Sequence, residues 1–239
     1  MGRAHEVRKV AMEKTAAAKS KLYAKYGKEI YMAAKSGTPD PDTNQALKKI
    51  IEKAKKEQVT ADIIKRSIEK AVGGSDENYT EVRYEGFGPG TSMIIVECLT
   101  DNVNRTISVV RNAFTKTGGK LGVSGSTLHQ FNHVCVFTLP GVTEDEILEI
   151  LVMNDLNFSD IEVEEDSVTV YGEANDYNLI RTAITDAKPD FDFATDQIMW
   201  LPIMEATFDN DEDQGKFDRL LSLLDELDDV QDVYHNMKL

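Results

Sequence analysis

Apolar residues recur every three or four positions through the first third of the chain, the spacing of helices that bury one face. Three such stripes are present, at 22–33, 47–54 and 63–71. Glycine follows the first and the third, and Thr43 or Asn44 stands where a side chain can cap the second helix. The pattern predicts a small bundle of three amphipathic helices with lysines on their outer faces.

From residue 79 onward, short β-branched runs alternate with helical stripes. The predicted strands are 93–96, 127–131, 134–137, 161–164, 168–171, 198–204 and 230–234, and the predicted helices are 103–114, 147–151, 179–184 and 217–227. Thr143 and Glu146 have the spacing of a capping box, and Glu165-Asp166 between two alternating runs predicts a tight hairpin. The order predicts two mixed α+β units with mostly antiparallel sheets.

The segment 84–90, Tyr-Glu-Gly-Phe-Gly-Pro-Gly, places three glycines around one proline. Glycine tolerates a positive φ and proline fixes its own, so this composition predicts a rigid loop with a defined shape. An apolar strand follows the loop, and then a helix that Gly118 and Gly119 are expected to end.

Four motifs in this region together resemble the YebC/PmpR family. They are the YEGxGPxG loop at 84–90, VExLTDNxNRT at 96–106, RxxFxKxGGxLG at 111–122 and the Gly-Ser pair at 125–126. The similarity extends from 25–30 to 233–236, covers nearly the whole chain, and is closest to the shorter branch of the family. The family usually opens with Lys-Trp-Ala-Asn-Ile, whereas this chain has Arg-Ala-His-Glu-Val at 3–7.

The resemblance implies an α+β fold in which an N-terminal helical bundle precedes two mixed α+β domains, the second inserted in the first. It places the bundle at 1–78, the discontinuous domain at 79–132 plus 206–239, and the inserted domain at 133–205. The family includes proteins that resemble DNA-binding transcriptional regulators. Other members look like ribosome-associated factors that help translation of difficult stretches such as consecutive prolines.

Charge is distributed unevenly along the 239 residues. Residues 1–78 carry 17 Lys and Arg against 11 Asp and Glu, a net charge of +6. The remaining residues carry a net charge of −21, and the two parts sum to the −15 of the whole chain. Such asymmetry is typical of a chain in which one part meets polyanions. The composition is that of a globular protein, with no apolar run long enough for a membrane span and no export signal. Cys98 and Cys135 fit reduced core residues, so a cytoplasmic location is expected.

The sequence predicts a nucleic-acid-binding surface at the N-terminal end, because phosphates need cations without needing exact spacing. The predicted contacts are Arg3, Arg8, Lys9, Lys14, Lys19, Lys21, Lys25, Lys28 and Lys35. A second contact is predicted from aromatic residues of the glycine loop and cations of the following helix. Its members are Tyr84, Phe87, Arg105, Arg111 and Lys116. The two aromatic rings would either stack on bases or fill the base of their own loop, and the cations would either bind a partner or pair with nearby carboxylates.

No pattern indicates catalysis, a cofactor, a metal or a small-molecule substrate. A nucleophile elbow, a P-loop and a dinucleotide fingerprint are all absent from the sequence. His129 and His133 are too few for a zinc site, and the acidic run at 209–213 lacks the glycine and the glutamate that a calcium loop needs at its sixth and twelfth positions.

These observations predict a non-enzymatic, cytoplasmic regulator of gene expression that binds nucleic acid, and the resemblance implies that this nucleic acid is DNA. One alternative is a factor that binds ribosomal RNA or the ribosome, favoured by the lack of a recognition helix with clustered base-reading residues. The other is a protein-interaction module in which the acidic body is the working surface and the lysines keep the chain soluble.

Overall fold

The computed structural model describes residues 16–74, 78–189 and 191–238. These residues form two compact units, each described here by itself. The first unit contains the described residues up to 128 together with 206–238, and the second unit contains the described residues from 129 to 205.

The first unit begins with three helices, α1 (Ala16–Ser36), α2 (Gln45–Lys56) and α3 (Ala61–Val72). Ile30 and Leu47 are completely buried and Ile64 is 8% exposed in one cluster, so each of the three predicted apolar stripes contributes to the core of the bundle. Asn44 caps α2 by accepting the backbone N–H of Leu47 at 3.0 Å. Its amide nitrogen also donates to the carbonyls of Ala33 in α1 and Thr38 in the turn, so one side chain ties the start of the second helix to the end of the first.

A four-stranded antiparallel sheet completes the first unit, with strand order β3-β1-β2-β8. Its strands are β1 (Thr80–Phe87), β2 (Met93–Thr100), β3 (Lys120–Leu121) and β8 (Val230–His235), and its helices are α4 (Val103–Lys116) and α7 (Asp211–Asp225). Phe114 of α4 and Phe217 of α7 are fully buried in one cluster with residues of the sheet. The two helices therefore cover one face of the sheet, and the other face carries the charged residues of β1, β2 and β8.

The glycine loop is the connection between β1 and β2. Gly90 has a φ of +64°, and the hydroxyl of Ser92 donates to the carbonyl of Pro89 at 2.7 Å across the turn. Gly86 lies inside β1, where a Cβ atom would stand 2.4 Å from the ring of Phe114. The first of the three glycines therefore serves close packing between sheet and helix, and the last serves the turn.

The second unit contains a four-stranded antiparallel sheet of order β5-β6-β4-β7. Its strands are β4 (Phe131–Pro140), β5 (Asp160–Glu164), β6 (Ser167–Glu173) and β7 (Thr195–Pro202), and its helices are α5 (Glu144–Met153) and α6 (Tyr177–Ala187). Thr143 and Glu146 form the predicted capping box, and Glu164 pairs with Ser167 across the predicted two-residue turn. Both local predictions are confirmed.

One predicted strand is wrong. Residues 128–130 form a short 3₁₀ helix, and the strand begins at Phe131. The reason is a buried carboxylate of β1: Glu85 accepts the backbone N–H groups of Gly125, Thr127 and Leu128 at 2.7–2.8 Å. Consecutive N–H groups of a strand point to opposite sides, so the pair at 127 and 128 can reach one carboxylate only if the backbone turns.

The prediction of a mixed α+β chain with an N-terminal helical bundle is confirmed. The boundaries of the three domains stay a prediction. Strand β8, which lies at 230–235, pairs with β2 and so belongs to the same sheet as the two strands that the glycine loop connects.

Candidate nucleic-acid interface

Four of the predicted phosphate-binding residues, Arg3, Arg8, Lys9 and Lys14, lie outside the described residues. Lys19 lies in α1, where the structure describes its backbone and not its side chain. Four predicted contacts on α1 are described in full, and three of these share one face of the helix.

Lys21, Lys25 and Lys28 form this face, which we call the α1 lysine face, because residues three and four apart lie on the same side of a helix. Each donates to an aspartate near the C-terminal end of the first unit. Lys21 pairs with Asp225 at 2.9 Å, Lys25 with Asp232 at 2.8 Å, and Lys28 with Asp229 at 2.9 Å. The lysine side chains are 15–21% exposed. The structure therefore places these three cations against an aspartate strip, formed by Asp225, Asp229 and Asp232.

Asp229 is the best connected of the three aspartates. Its carboxylate accepts from the hydroxyls of Thr100 and Thr106 and from the guanidinium of Arg105, in addition to Lys28. Burial raises the pKa of this carboxyl, but the hydrogen bonds from Arg105, Lys28 and Thr106 outweigh it and lower the pKa to about 2. Asp229 is therefore held ionised and joins α1, α4 and the sheet.

Lys35 lies near the end of α1 and is exposed. Its ammonium group donates to the hydroxyl of Tyr31 at 3.2 Å and to the side-chain carbonyl of Asn78 at 3.0 Å. These contacts hold the end of α1 against the segment that precedes β1.

The predicted second contact separates into buried and exposed residues. Tyr84 is 9% exposed, belongs to the core of the first unit, and donates its hydroxyl to the carbonyl of Val103 at 3.4 Å. Arg105 pairs with Asp101 and Asp229, both at 2.7 Å. Tyr84 is thus buried at the base of its own loop instead of being free to stack on a base. Arg105 pairs with carboxylates of its own chain.

The remaining three members lie at the surface. Arg111 and Lys116 are exposed on α4, a helix of 14 residues whose sequence contains no Asp or Glu. Phe87 is half-buried at the end of β1, and the ammonium of Lys120 lies 5.4 Å from the centre of its ring. These side chains give an otherwise acidic domain a local basic surface.

Helix α2 carries a lysine cluster that is not among the predicted contacts. This helix of 12 residues carries five lysines and one acidic residue, Glu52. Lys48, Lys55 and Lys56 are exposed, and Lys48 and Lys55 are seven residues apart and share one side of the helix. The density of lysines at 45–56 is the signal in the sequence that indicates this cluster.

A cavity of about 920 Å³ lies between the helical bundle and the charged face of the sheet in the first unit. Its charged lining residues are Glu29, Glu81, Arg83, Glu97 and Asp232. Burial is the main cause that raises the pKa of Glu29 above its ordinary value, with Asp232 adding to it against the opposing effect of Lys25. Both polar atoms of the Gln231 amide are buried without a hydrogen-bond partner among the described residues. Bundle and sheet therefore meet across an incompletely packed space that both charged and apolar residues line.

Other candidate chemistry finds no geometric support in the described part of the chain. His133 stacks on Trp200 at 4.1 Å between ring centres. Asn210 caps α7 by accepting the N–H of Asp213, so the acidic run at 209–213 lies at the start of a helix. Within 16–74, 78–189 and 191–238, no group of three or more His, Cys, Asp or Glu is arranged to hold a metal. None of the helices described is long and apolar enough to cross a bilayer.

Comparison with known proteins covers both units. Residues 3–74 match the model of the TACO1/YebC protein N-terminal domain, and residues 79–237 match that of the TACO1/YebC second and third domain. A crystal structure of a conserved hypothetical protein from Aquifex aeolicus has 35% sequence identity and a TM-score of 0.76, and the match covers 94% of this chain and 92% of that chain.

Two curated relatives are similar along their full length. A protein of Acholeplasma laidlawii is 60% identical over 237 residues, 99% of this chain and 98% of its own. A protein of Alteromonas mediterranea is 52% identical over 236 residues, 99% of this chain and 98% of its own. Both are named probable transcriptional regulatory proteins. With both family models matched and identities of this size, the chain belongs to the TACO1/YebC family.

Proposed function

We propose that this chain is a non-enzymatic, cytoplasmic regulator of gene expression that binds nucleic acid through the phosphate groups, using cations of its helical bundle. The names of its relatives support the regulatory role. The observation that carries the binding mode is the lysine cluster of α2, because three of its cations are exposed and one acidic residue accompanies five lysines. The described bundle as a whole, 16–74, contains 13 Lys and Arg against 7 Asp and Glu.

Cations with this arrangement suit a phosphate backbone better than base edges. A lysine ammonium is a compact charge on a flexible stem, and it attracts phosphate without fixing a sequence. The surface of Arg111, Lys116, Phe87 and Lys120 would supply a second contact, in which the ring offers a face for a base. Neither surface distinguishes DNA from ribosomal RNA, so both nucleic acids belong in the test.

Salt dependence of binding tests the proposal directly. Each phosphate contact contributes roughly 0.9 to the slope of log affinity against log salt on duplex DNA and roughly 0.7 on single strands. Three to five contacts therefore predict a slope of about −2 to −4.5. Duplex DNA, single-stranded RNA and purified ribosomal particles are titrated between 50 and 200 mM salt, values chosen to span that dependence. Flat or absent binding to all three would favour the protein-interaction alternative.

A matched pair of variants tests the location of the contacts. K48Q/K55Q removes two exposed charges from α2, and K188Q/K216Q removes two charges outside the bundle, from pairs with Glu146 and Glu212. The α2 variant is expected to lower the steepness of the slope by about 1.4 to 1.8, and the control to leave it unchanged. Equal losses in the two variants would show a non-specific effect of net charge.

A further inference from the structure

The aspartate strip places three carboxylates where the phosphates of a bound strand would contact α1. Lys21, Lys25 and Lys28 are spaced four and three residues apart, so the α1 lysine face extends roughly 10 Å along the helix axis. That length corresponds to about three phosphate steps of 3.4 Å in one strand of a duplex. In this structure each of the three lysines forms an ion pair with an aspartate of the strip: Lys21 with Asp225, Lys25 with Asp232 and Lys28 with Asp229.

The carboxylates of the aspartate strip keep water or hydrogen-bond partners when the contact with α1 opens. Asp225 is 73% exposed and Asp232 is 45% exposed, so water can solvate both carboxylates when the lysines leave. Asp229 keeps Arg105, Thr100 and Thr106 as donors without Lys28. Removing α1 from the strip therefore leaves no carboxylate buried without a partner.

The space beside the contact points the same way. The cavity of about 920 Å³ lies between the bundle and the sheet, and its lining combines five charged residues with apolar ones such as Met32 and Ile50. The amide of Gln231, next to Asp232 in β8, has its polar atoms buried without a partner in the described structure. A tightly packed apolar interface would resist separation, whereas an interface with ion pairs and an internal space resembles those across which domains move.

We infer that the α1 lysine face is a phosphate-binding surface that the aspartate strip occupies in the free protein, so that a nucleic-acid strand and the strip compete for the same lysines. This inference rests on the proposed function, and it adds a regulatory step to it. The bundle binds first through α2, which is exposed, and the α1 lysine face is added when phosphates displace Asp225, Asp229 and Asp232. Each ion pair that opens is replaced by a lysine–phosphate contact with release of counterions.

Breaking the same ion pairs from opposite sides provides the experiment. D225N/D232N removes the competing carboxylates and keeps Lys21 and Lys25, whereas K21Q/K25Q removes the cations and keeps the aspartates. Binding of a fluorescent duplex DNA and of a single-stranded RNA is measured at constant salt for the full chain. Competition predicts roughly 2- to 30-fold tighter binding for D225N/D232N, from the usual range for two partly exposed ion pairs. It predicts weaker binding for K21Q/K25Q.

D209N/D218N is the matched control, since it also raises the net charge by two, at exposed positions outside the strip. Equal tightening in the control and in D225N/D232N would overturn the inference, because general charge would explain both. So would unchanged binding in D225N/D232N while the wild-type chain binds. Losses in both the aspartate and the lysine variant would show that the pairs act as a structural clamp, which also overturns it. If neither the wild-type chain nor D225N/D232N binds either probe, the proposed function fails with it. Binding by D225N/D232N alone would support both.

Discussion

Lys28 and Asp229 form an ion pair at 2.9 Å in which both side chains are largely withdrawn from water, at 15% and 11% exposure. The two residues are 201 positions apart in the chain. The same ammonium group also donates to the carbonyls of Leu99 and Asp228, so α1, β2 and the segment before β8 meet at one charge. The two buried charges are tolerated because each forms further hydrogen bonds, Lys28 to the two carbonyls and Asp229 from Arg105, Thr100 and Thr106.

Replacing Asp229 by asparagine is therefore expected to destabilise the first unit. The amide keeps the shape but leaves Lys28 and Arg105 without the carboxylate that both contact, and we expect a loss of about 1–3 kcal/mol in the free energy of unfolding. Hydrogen exchange of the amides of β1 and β2 during urea titration measures it, since the one tryptophan, Trp200, reports on the second unit. D228N is the control, because Lys28 contacts the backbone and not the side chain of Asp228.

The same carboxylate predicts a specific response to acid. The pKa of Asp229 is lowered from 3.8 to about 2 in the folded chain, so its contribution is complete above pH 3.8 and is lost as the pH falls through about 2. A shift of this size corresponds to about 2 kcal/mol. Unfolding of the first unit measured between pH 5 and 2 should therefore be flatter with pH in D229N than in the wild-type chain. Parallel curves would contradict the assigned coupling.

Glu29 is expected to lower the stability of the first unit at neutral pH, whereas Asp229 raises it. Burial raises its pKa, so ionising this carboxyl at neutral pH costs stability in the folded chain. Glutamine removes that cost, and we expect E29Q to stabilise the first unit at pH 7. The gain should shrink as the pH falls towards the ordinary range of a glutamate, where the wild-type carboxyl takes up its proton. Urea unfolding at pH 7 and pH 4.5 measures both parts, and E81Q, an exposed glutamate on the same cavity, serves as control.

Glu85 determines the conformation of the segment that follows β3. Its carboxylate accepts three backbone N–H groups and the hydroxyl of Thr127, and these bonds lower its pKa despite burial, the largest opposing effect. In E85Q the amide nitrogen cannot accept, so at least one N–H loses its partner, and we expect a loss of about 1–3 kcal/mol. Faster hydrogen exchange at residues 125, 127 and 128 checks this. Unchanged protection there would show that the turn is fixed by other contacts.

Local signals in the sequence were sufficient where the partner of a residue is close along the chain. Asn44 caps a helix through a residue three positions away, and Thr143 pairs with Glu146 at the same distance, so both were predictable from pattern. Glu85 and Asp229 act through partners 40 to 201 positions away. No periodicity encodes such pairs, which is why a strand was predicted at 127–131 and the α1 lysines were expected to face solvent.

The candidate site shows the same limit at the level of charge. Counting lysines correctly located the positive part of the chain, because net charge is a property of sequence alone. The accessibility of each lysine depends on tertiary structure, because the aspartates at 225–232 form ion pairs with three lysines of α1. Lys48 and Lys55 belong to a helix whose lysine content is visible in the sequence, and the structure shows that both side chains are exposed.

Gly86 and Gly215 differ in whether the surrounding structure leaves room for a Cβ atom. A Cβ at Gly86 would lie 2.4 Å from the buried ring of Phe114, which has no room to move, so G86A is expected to destabilise the first unit by about 1–3 kcal/mol through overpacking. Gly215 lies inside α7, and a Cβ there would meet no atom within 4 Å of the described structure. G215A should therefore stabilise the same unit by about 0.5–1 kcal/mol, since alanine restricts the unfolded chain and favours the helix. Urea unfolding of the two single variants should give shifts of opposite sign, and a stabilising G86A would show that β1 and α4 pack less closely than their contact indicates.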